Sequence, residues 1–340
     1  MREDRIGNYK KIENLRNSKL LVYVTGDRPG METQIHPEIL EYFVDHLDPL
    51  GKVDKISLLL YTRGGNTLAA WSLVNLIRQF CKEFEVIIPS KAQSSGTLIS
   101  IGANTVVMTK QATLGPIDPS LNGPLNPQNP QIPQNPAARI PVSVESIKGY
   151  FELAKEDLKI GNEQELTQVL LSLSEKVHPL VLGDVYRSRT QIQMLARKLL
   201  SKQIDEKDRI EEIISFLTSD SGSHDYTIYR DEARDELGLN IEKPNDELYA
   251  VIKETFDKIK AELEFMTPYD PNLILGANQT ASYSCRRILI ESIDGGTDVF
   301  ISEGNIVKQQ QAIPQQPPMP PLQRTIIDDN RTFEGWKHEG

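Results

Sequence analysis

Short apolar runs alternate with longer segments that carry apolar residues at helical spacing over the first hundred or so positions. The runs at residues 20–25, 56–60, 86–88 and 105–108 are rich in Val, Ile or Leu and predict buried strands. Residues 37–47 lie between two of these runs and predict an amphipathic helix. Strands that alternate with helices favour a parallel sheet with right-handed crossovers, so we expect an α/β fold with a parallel sheet core.

The pattern changes after residue 116. Residues 116–141 are crowded with Pro, Asn and Gln, which excludes a helix or a central strand and predicts an extended surface loop. Beyond this Pro-rich loop, apolar positions at three-and-four spacing predict a series of amphipathic helices. Their predicted ranges are 143–158, 163–177, 179–203 and 206–219.

The last third of the chain predicts three different kinds of structure. Residues 246–265 form another amphipathic pattern, and two β-rich runs at 282–290 and 298–306 flank an Asp-Gly-Gly turn, which predicts a hairpin. After Lys308 the chain is rich in Pro and Gln and low in apolar residues, which predicts a disordered tail. The predicted organisation is an N-terminal arm (1–18), a main domain (19–242), a helix with a β-hairpin (243–307) and a disordered tail (308–340).

Composition excludes several classes of function. The net charge of −10 over 340 residues comes without a basic stripe, which argues against nucleic-acid binding. The 5 histidines and 2 cysteines show no metal-ligand spacing, so we expect neither a metal nor a cofactor. The charged N-terminus is unlike a signal peptide, and no apolar run approaches the roughly 20 residues of a membrane-spanning helix. We therefore expect a cytoplasmic protein with no membrane span.

Two strand-to-helix turns carry the candidate chemistry. The first is the sequence RGGN at residues 63–66, and its glycines leave backbone N–H groups open to a ligand. The second is QSSGT at residues 93–97, where Ser94 opens a helix. Unpaired N–H groups and the helix dipole favour developing negative charge there. This combination suits a serine nucleophile with an oxyanion hole, although a serine before a helix is also commonly only an N-cap.

These motifs resemble those of the Clp-protease, signal peptide peptidase A and crotonase-like superfamily. Residues 62–65 resemble its S/T-x-G-G turn, and residues 92–97 resemble its nucleophile segment. The sequences LGPIDP (114–119), HDY (224–226) and LGL (237–239) are similar to the serine dehydrogenase proteinase family in particular. The resemblance covers roughly residues 18–242. It implies a fold of repeated ββα units, here with extra helices and a C-terminal β-hairpin.

The resemblance also implies roles for individual residues. Ser94 corresponds to the nucleophile, with Ser95 as the alternative by one position, and the N–H groups of Gly65 and Ser95 would form the oxyanion hole. Clp subunits carry a catalytic histidine one strand after the nucleophile, but residues 115–118 contain none. Relatives of signal peptide peptidase use a lysine further along, where this chain has Lys148.

The identity of the general base is left open at this stage. Lys148 has apolar neighbours that favour partial burial, which a lysine base requires, but an exposed helix lysine is an equal alternative. Asp225 lies near the position of the Clp triad aspartate and His224 precedes it; this pair either fixes a turn or supplies the base. Lys91, which is close to Ser94 in sequence, is a further candidate.

The sequence thus predicts a serine peptidase that cleaves peptide bonds in unfolded or extended protein segments. The resemblance further implies a homo-oligomer and leaves open an adaptor or ATPase partner. Two rival functions are a catalytically silent scaffold that binds partners, and a crotonase-like acyl-CoA enzyme that uses the same oxyanion hole on a thioester. Enzymes of the latter kind usually place a carboxylate near the second turn, where this chain has serines.

Overall fold

The computed structural model describes residues 2–117, 120–220, 223, 225–313 and 322–339. The strands in these residues are β1 (Lys19–Thr25), β2 (Val53–Tyr61), β3 (Cys81–Ile88), β4 (Lys91–Ala92), β5 (Thr105–Met108), β6 (Thr113–Leu114), β7 (Ser120–Leu121), β8 (Val142–Ser143), β9 (Ile228–Tyr229), β10 (Ile241–Glu242), β11 (Thr280–Ser292), β12 (Gly296–Ile313) and β13 (Leu322–Glu339). The helices are α1 (Glu3–Arg16), α2 (Ile39–Leu47), α3 (Thr67–Phe80), α4 (Ser95–Ile101), α5 (Val144–Glu152), α6 (Glu163–Ser174), α7 (Pro179–Leu200), α8 (Lys207–Ser215), α9 (Asp246–Glu262) and α10 (Pro271–Leu275).

The main sheet has eight strands in the order β10-β5-β3-β2-β1-β11-β12-β13. The strands from β10 to β1 pair in parallel, and β11, β12 and β13 continue the sheet with antiparallel pairing. Helices α2, α3 and α4 connect successive parallel strands, as the alternating sequence pattern predicts. This is the expected α/β fold with a parallel core, extra helices and a C-terminal β-hairpin.

Both faces of the main sheet are covered by helices. Along β1, Leu21 and Tyr23 join a core cluster with residues of α2, α3 and α4, whereas Val22 and Val24 join a cluster with residues of α1 and α9. Successive strand side chains point to opposite faces, so a strand buried on both sides reads as a continuous apolar run. That is why the central strands could be predicted from apolar runs alone. None of the helices in the described part of the chain is both long and apolar enough to cross a membrane.

Two small sheets lie beside the main one. β4, β6 and β9 form one of them, and β7 pairs with β8 to form the other. β7 lies inside the Pro-rich loop and pairs with β8, which begins directly after it. The other described residues of the loop contain no further strand or helix apart from the isolated bridge between Gln128 and Arg139. The four helices predicted after this loop are α5 to α8, and α5 and α8 each end in a π-helical turn, at Leu153–Asp157 and Phe216–Asp220.

The N-terminal segment is a helix that is anchored by a buried charge network. Arg5 is fully buried on α1, and its guanidinium donates to Glu291 on β11 and to Glu262 on α9, each at 2.6 Å. Glu262 also accepts from Arg286 at 2.7 Å, and Arg286 pairs in turn with Glu339 of β13. Removing one member of such a network would leave a buried charge without its partner. The first helix is therefore tied to the last strands of the sheet.

The disordered tail predicted for residues 308–340 is wrong for residues 308–313 and 322–339. Both segments are strand, with β13 paired to β12 along its whole length. Trp336 of β13 stacks on Tyr42 of α2 with ring centroids 4.3 Å apart and meets Phe300 edge-on at 5.7 Å. The Pro- and Gln-rich composition that suggested disorder is concentrated before residue 322, and residues 314–321 lie outside the described residues.

We expect Trp336→Ala to lower the free energy of unfolding by about 2 kcal/mol, because it removes aromatic area that packs on two rings. Phe333→Ala is the matched control, since Phe333 lies on the same strand but is more exposed. Its effect should be less than roughly half as large, because less apolar area leaves the interior. Urea unfolding measures both variants. Equal stability of Trp336→Ala and the unmodified protein would show that β13 is not docked through this ring.

Candidate active site

The first turn of the site follows β2 and consists of two glycines that no other residue could replace without strain. Gly64 has φ 106° and Gly65 has φ 140°, in the region of backbone conformation that favours glycine. The N–H of Gly64 donates to Oγ1 of the buried Thr62 at 3.0 Å, which fixes the start of the turn. We call residues 63–66 the oxyanion turn.

Residues 26–35, which we call the strap, hold the oxyanion turn from the other side. Ile35 donates its N–H to the carbonyl of Gly64 and accepts from the N–H of Asn66, both at 2.8 Å. A Cβ atom at position 65 would lie 2.5 Å from both the N and the O of Ile35. Such a distance is a collision with backbone, so the close pairing of strap and turn depends on glycine at this position.

The second turn lies between β4 and α4 and places Ser94 in a strained conformation. Ser94 has φ 53° and ψ −115°, a backbone conformation that residues other than glycine rarely adopt. The backbone of Thr62 holds this turn against β2, because its N–H donates to Lys91 O and its carbonyl accepts from Gln93 N–H, both at 3.1 Å. A Cβ at Gly96 would lie 2.5 Å from Cγ2 of Thr62, so the small residue permits this approach. We call residues 91–96 the nucleophile turn.

The two turns bring the Ser94 side chain against Gly64. A Cβ placed on Gly64 would lie 2.7 Å from Cβ and 3.2 Å from Oγ of Ser94. Ser94 precedes α4 but its side chain does not cap the helix, and its hydroxyl has no hydrogen-bond partner among the residues that the structure describes. The half-buried hydroxyl is thus presented beside the oxyanion turn instead of being used in the helix start.

Ser95 differs from Ser94 in both exposure and bonding. Ser95 is only 2% exposed, and its hydroxyl donates to the carbonyl of Gly65 at 2.7 Å. The backbone N–H groups of Gly65 and Ser95 have no hydrogen-bond acceptor within the described parts of the chain. Two uncommitted amides beside a serine hydroxyl are the components of an oxyanion hole. The arrangement can therefore support acyl transfer through Ser94.

The structure does not join Ser94 to any of the candidate bases that it describes. Lys148 lies on α5 in a groove against α7, with Nζ 3.2 Å from a carboxylate oxygen of Glu152. Asp225 is exposed, and its N–H donates to Ser223 Oγ at 3.2 Å. His224 lies outside the described residues. The assignment of a base from the sequence thus stays a prediction.

Lys91 belongs to a polar cluster that sequence reasoning missed. Its Nζ lies 2.5 Å from Oδ2 of Asp27 and 5.5 Å from the ring centroid of Tyr61. Asp27 is part of a Gly- and Pro-containing stretch that composition marks only as a loop. The sequence of this stretch does not show that Asp27 pairs with Lys91, which lies far along the chain. In the described residues, no group of three or more His, Cys, Asp or Glu side chains is placed to hold a metal ion.

An α/β fold with a serine in a strained turn beside a glycine turn is typical of serine hydrolases that use an oxyanion hole. The chain belongs to the family of ClpP-like SDH-type serine proteinases, whose model matches residues 50–266. It is 29% identical over 217 residues to an uncharacterized protein of Methanocaldococcus jannaschii, and this match covers 63% of each chain. A second uncharacterized protein of that organism is 30% identical over 186 residues, covering 55% of this chain and 51% of the relative. The matches therefore span less than two thirds of the length of these relatives.

The chain also matches solved protease structures at low sequence identity. A mutant of ClpP1 from Listeria monocytogenes matches 70% of this chain and 99% of its own, with 13% identity and a TM-score of 0.36. A mutant of the membrane-bound stomatin-specific protease 1510-N matches 69% of this chain and 85% of its own, with 15% identity and a TM-score of 0.37.

Proposed function

We propose that this protein is a serine peptidase in which Ser94 is the nucleophile. The observation that carries the proposal is the contact between the Ser94 side chain and Gly64, next to the uncommitted amides of Gly65 and Ser95. The Ser94 hydroxyl attacks the carbonyl carbon of a peptide bond, and those two N–H groups stabilise the oxyanion that forms. The amine leaves with a proton, and water then hydrolyses the acyl-enzyme. Membership of a serine proteinase family supports this reaction.

Extended or unfolded segments are the proposed substrates. Ser94 is half-buried where the nucleophile turn meets the oxyanion turn. A peptide bond must therefore reach it without the bulk of a folded domain around it. The backbone of an extended chain fits such a site. A cytoplasmic location and an adaptor or ATPase partner stay expectations from the sequence.

The proposed base is Lys148, with His224 as the alternative. Lys148 follows the Pro-rich loop that begins directly after β6, and β6 pairs with the β4 strand of the nucleophile turn. The lysine must leave Glu152 and become neutral before it can accept the Ser94 proton.

A catalytically silent scaffold is the second candidate function. The observation that favours it is the lack of any hydrogen-bond partner for the Ser94 hydroxyl in the part of the chain that is described. A hydroxyl without a proton acceptor is a weak nucleophile. Covalent labelling of Ser94 separates the two functions, because a silent scaffold would not react.

We also propose that the protein forms homo-oligomers through α6 and α7. No residue of α6 is buried, and Leu171 on α6 and Leu180 and Tyr186 on α7 are more than half exposed. Large apolar side chains exposed on consecutive helices are typical of protein interfaces.

We expect Ser94→Ala to abolish both labelling by a serine-reactive fluorophosphonate and cleavage of casein, because the variant lacks the attacking oxygen. Circular dichroism should show an unchanged fold, since the Ser94 hydroxyl makes no hydrogen bond within the described residues. Ser95→Ala is the matched control and should retain labelling at Ser94, located by peptide mapping. Full cleavage by Ser94→Ala would reject Ser94 as the nucleophile.

Lys148→Ala should lose turnover without losing the fold if Lys148 is the base. Lys155→Ala changes a lysine of the same groove and is the matched control. Normal cleavage by Lys148→Ala together with loss in His224→Ala would identify the histidine as the base.

Light scattering should find oligomers at micromolar concentration. Leu171→Glu should shift the distribution to smaller species, because it places a charge in the apolar contact. Met266→Glu introduces the same charge at a highly exposed position outside α6 and α7 and should leave the distribution unchanged. A monomer as the only species of the unmodified protein would contradict the proposed assembly.

A further inference from the structure

We propose that Asp27 is a positioning residue for the reaction at Ser94. Its carboxylate connects the strap, the oxyanion turn and the nucleophile turn, and so sets the distance between the Ser94 hydroxyl and the Gly65 amide. The inference rests on the function proposed above. It assigns to Asp27 a role for which the loop sequence around it gives no sign.

Both oxygens of the Asp27 carboxylate are occupied by partners, which come from the two turns and from strand β2. Oδ2 accepts from Lys91 Nζ at 2.5 Å and from the Tyr61 hydroxyl at 2.8 Å. Oδ1 lies 3.3 Å from Nη1 of Arg63. The Asp27 side chain is 18% exposed and the Lys91 side chain 25%, so water screens this contact less than it screens a surface ion pair.

The positions of these partners in the sequence explain how one carboxylate can hold both turns of the site in place. Lys91 begins the nucleophile turn, three residues before Ser94, and Arg63 directly precedes Gly64 of the oxyanion turn. Asp27 itself lies in the strap, whose other end pairs with the oxyanion turn through Ile35. The strap is therefore fastened to the oxyanion turn at both ends and to the nucleophile turn at one.

Tyr61 contributes a neutral donor to this cluster. Burial, and next the negative charge of Asp27, raise the pKa of Tyr61 well above its ordinary value. The phenol thus keeps its proton at every pH at which the protein would work and continues to donate to Asp27. Glu32 is a weaker partner than Asp27, because it lies 3.8 Å from the same Arg63 nitrogen and its side chain is 42% exposed.

Loss of the Asp27 charge should act on the transition state more than on substrate binding. The oxyanion exists only after Ser94 has attacked, so a shift of the Gly65 amide relative to Ser94 lowers kcat and leaves KM nearly unchanged. A misplacement of about 1 Å can reduce the rate by roughly a factor of 100. We therefore expect a loss in kcat of at least about tenfold.

Asp27→Asn is the decisive variant. An amide offers one oxygen and one NH2 group, so either Lys91 or Arg63 would face a donor instead of an acceptor. Asp54→Asn is the matched control, because it makes the same chemical change in the exposed ion pair of Asp54 with Lys82. The measurements are the rate of fluorophosphonate labelling, kcat and KM for a peptide substrate, and the melting temperature. Asp27→Asn should be slow in labelling and low in kcat, and Asp54→Asn should match the unmodified protein.

Lys91→Arg separates positioning from a direct role of Lys91 as the base. Arginine keeps the ion pair with Asp27 but stays protonated, so it can hold the turn but cannot accept a proton. Positioning predicts that Lys91→Arg retains most of the labelling rate, and a Lys91 base predicts its loss.

The outcomes distinguish this inference from the proposed function. If the unmodified protein is not labelled at Ser94 at all, both the peptidase function and the role of Asp27 are rejected. If it is labelled and Asp27→Asn reacts at the same rate, only the role of Asp27 is overturned. If Asp27→Asn does not fold, Lys91→Met removes the nucleophile-turn contact alone, and an unchanged labelling rate in that variant would overturn the inference.

Discussion

The oxyanion turn and the nucleophile turn approach each other so closely at Ser94 that the facing residue, Gly64, has no room for a side chain. A side chain on Gly64 would meet Ser94, and a side chain on Gly65 would meet the backbone of Ile35. The parallel sheet makes this approach possible, because β2 and β3 end side by side and deliver both turns to the same edge. The helices and the strap then restrict how far the turns can separate. Every role proposed for the site depends on this steric constraint.

The strained backbone of Ser94 has to be held by the structure around it. Thr97, the third residue of α4, donates its hydroxyl to the carbonyl of Gly115 at 2.7 Å and accepts the N–H of the same residue at 3.0 Å. Thr62 holds the other side of the nucleophile turn through its backbone. Two threonines that are fully buried thus fix the segment on both sides of Ser94. Strained backbone conformations generally persist only where the surrounding structure prevents the residue from adopting an unstrained one.

The sequence predicts the parts of this molecule that depend on local pattern. Apolar runs identified the central strands, and glycines at residues 64 and 65 identified the oxyanion turn, because both signals reside within a few consecutive residues. The strap and Asp27 could not be predicted, since their partners are Lys91 and Arg63, and only the fold brings those together. Strand β13 was missed for the same reason: Trp336 is anchored by Tyr42, nearly three hundred residues earlier. Apolar flanks could suggest burial of Lys148 but could not show that its groove is formed with α7.

The buried Arg5 has a consequence for the order in which the protein can be made. Its carboxylate partner Glu291 lies 286 positions further along the chain. At ribosomal rates of roughly 5–20 residues per second, roughly 15 to 60 seconds separate the synthesis of the two side chains. The other carboxylate partner of Arg5, Glu262, is also synthesised late, so for most of that time Arg5 has neither carboxylate to bury against, although the parallel strands can already pair. We therefore expect the first helix to be synthesised to be among the last to dock, and the part of the sheet face that it covers to stay open to water, or to a chaperone, until β11 has emerged.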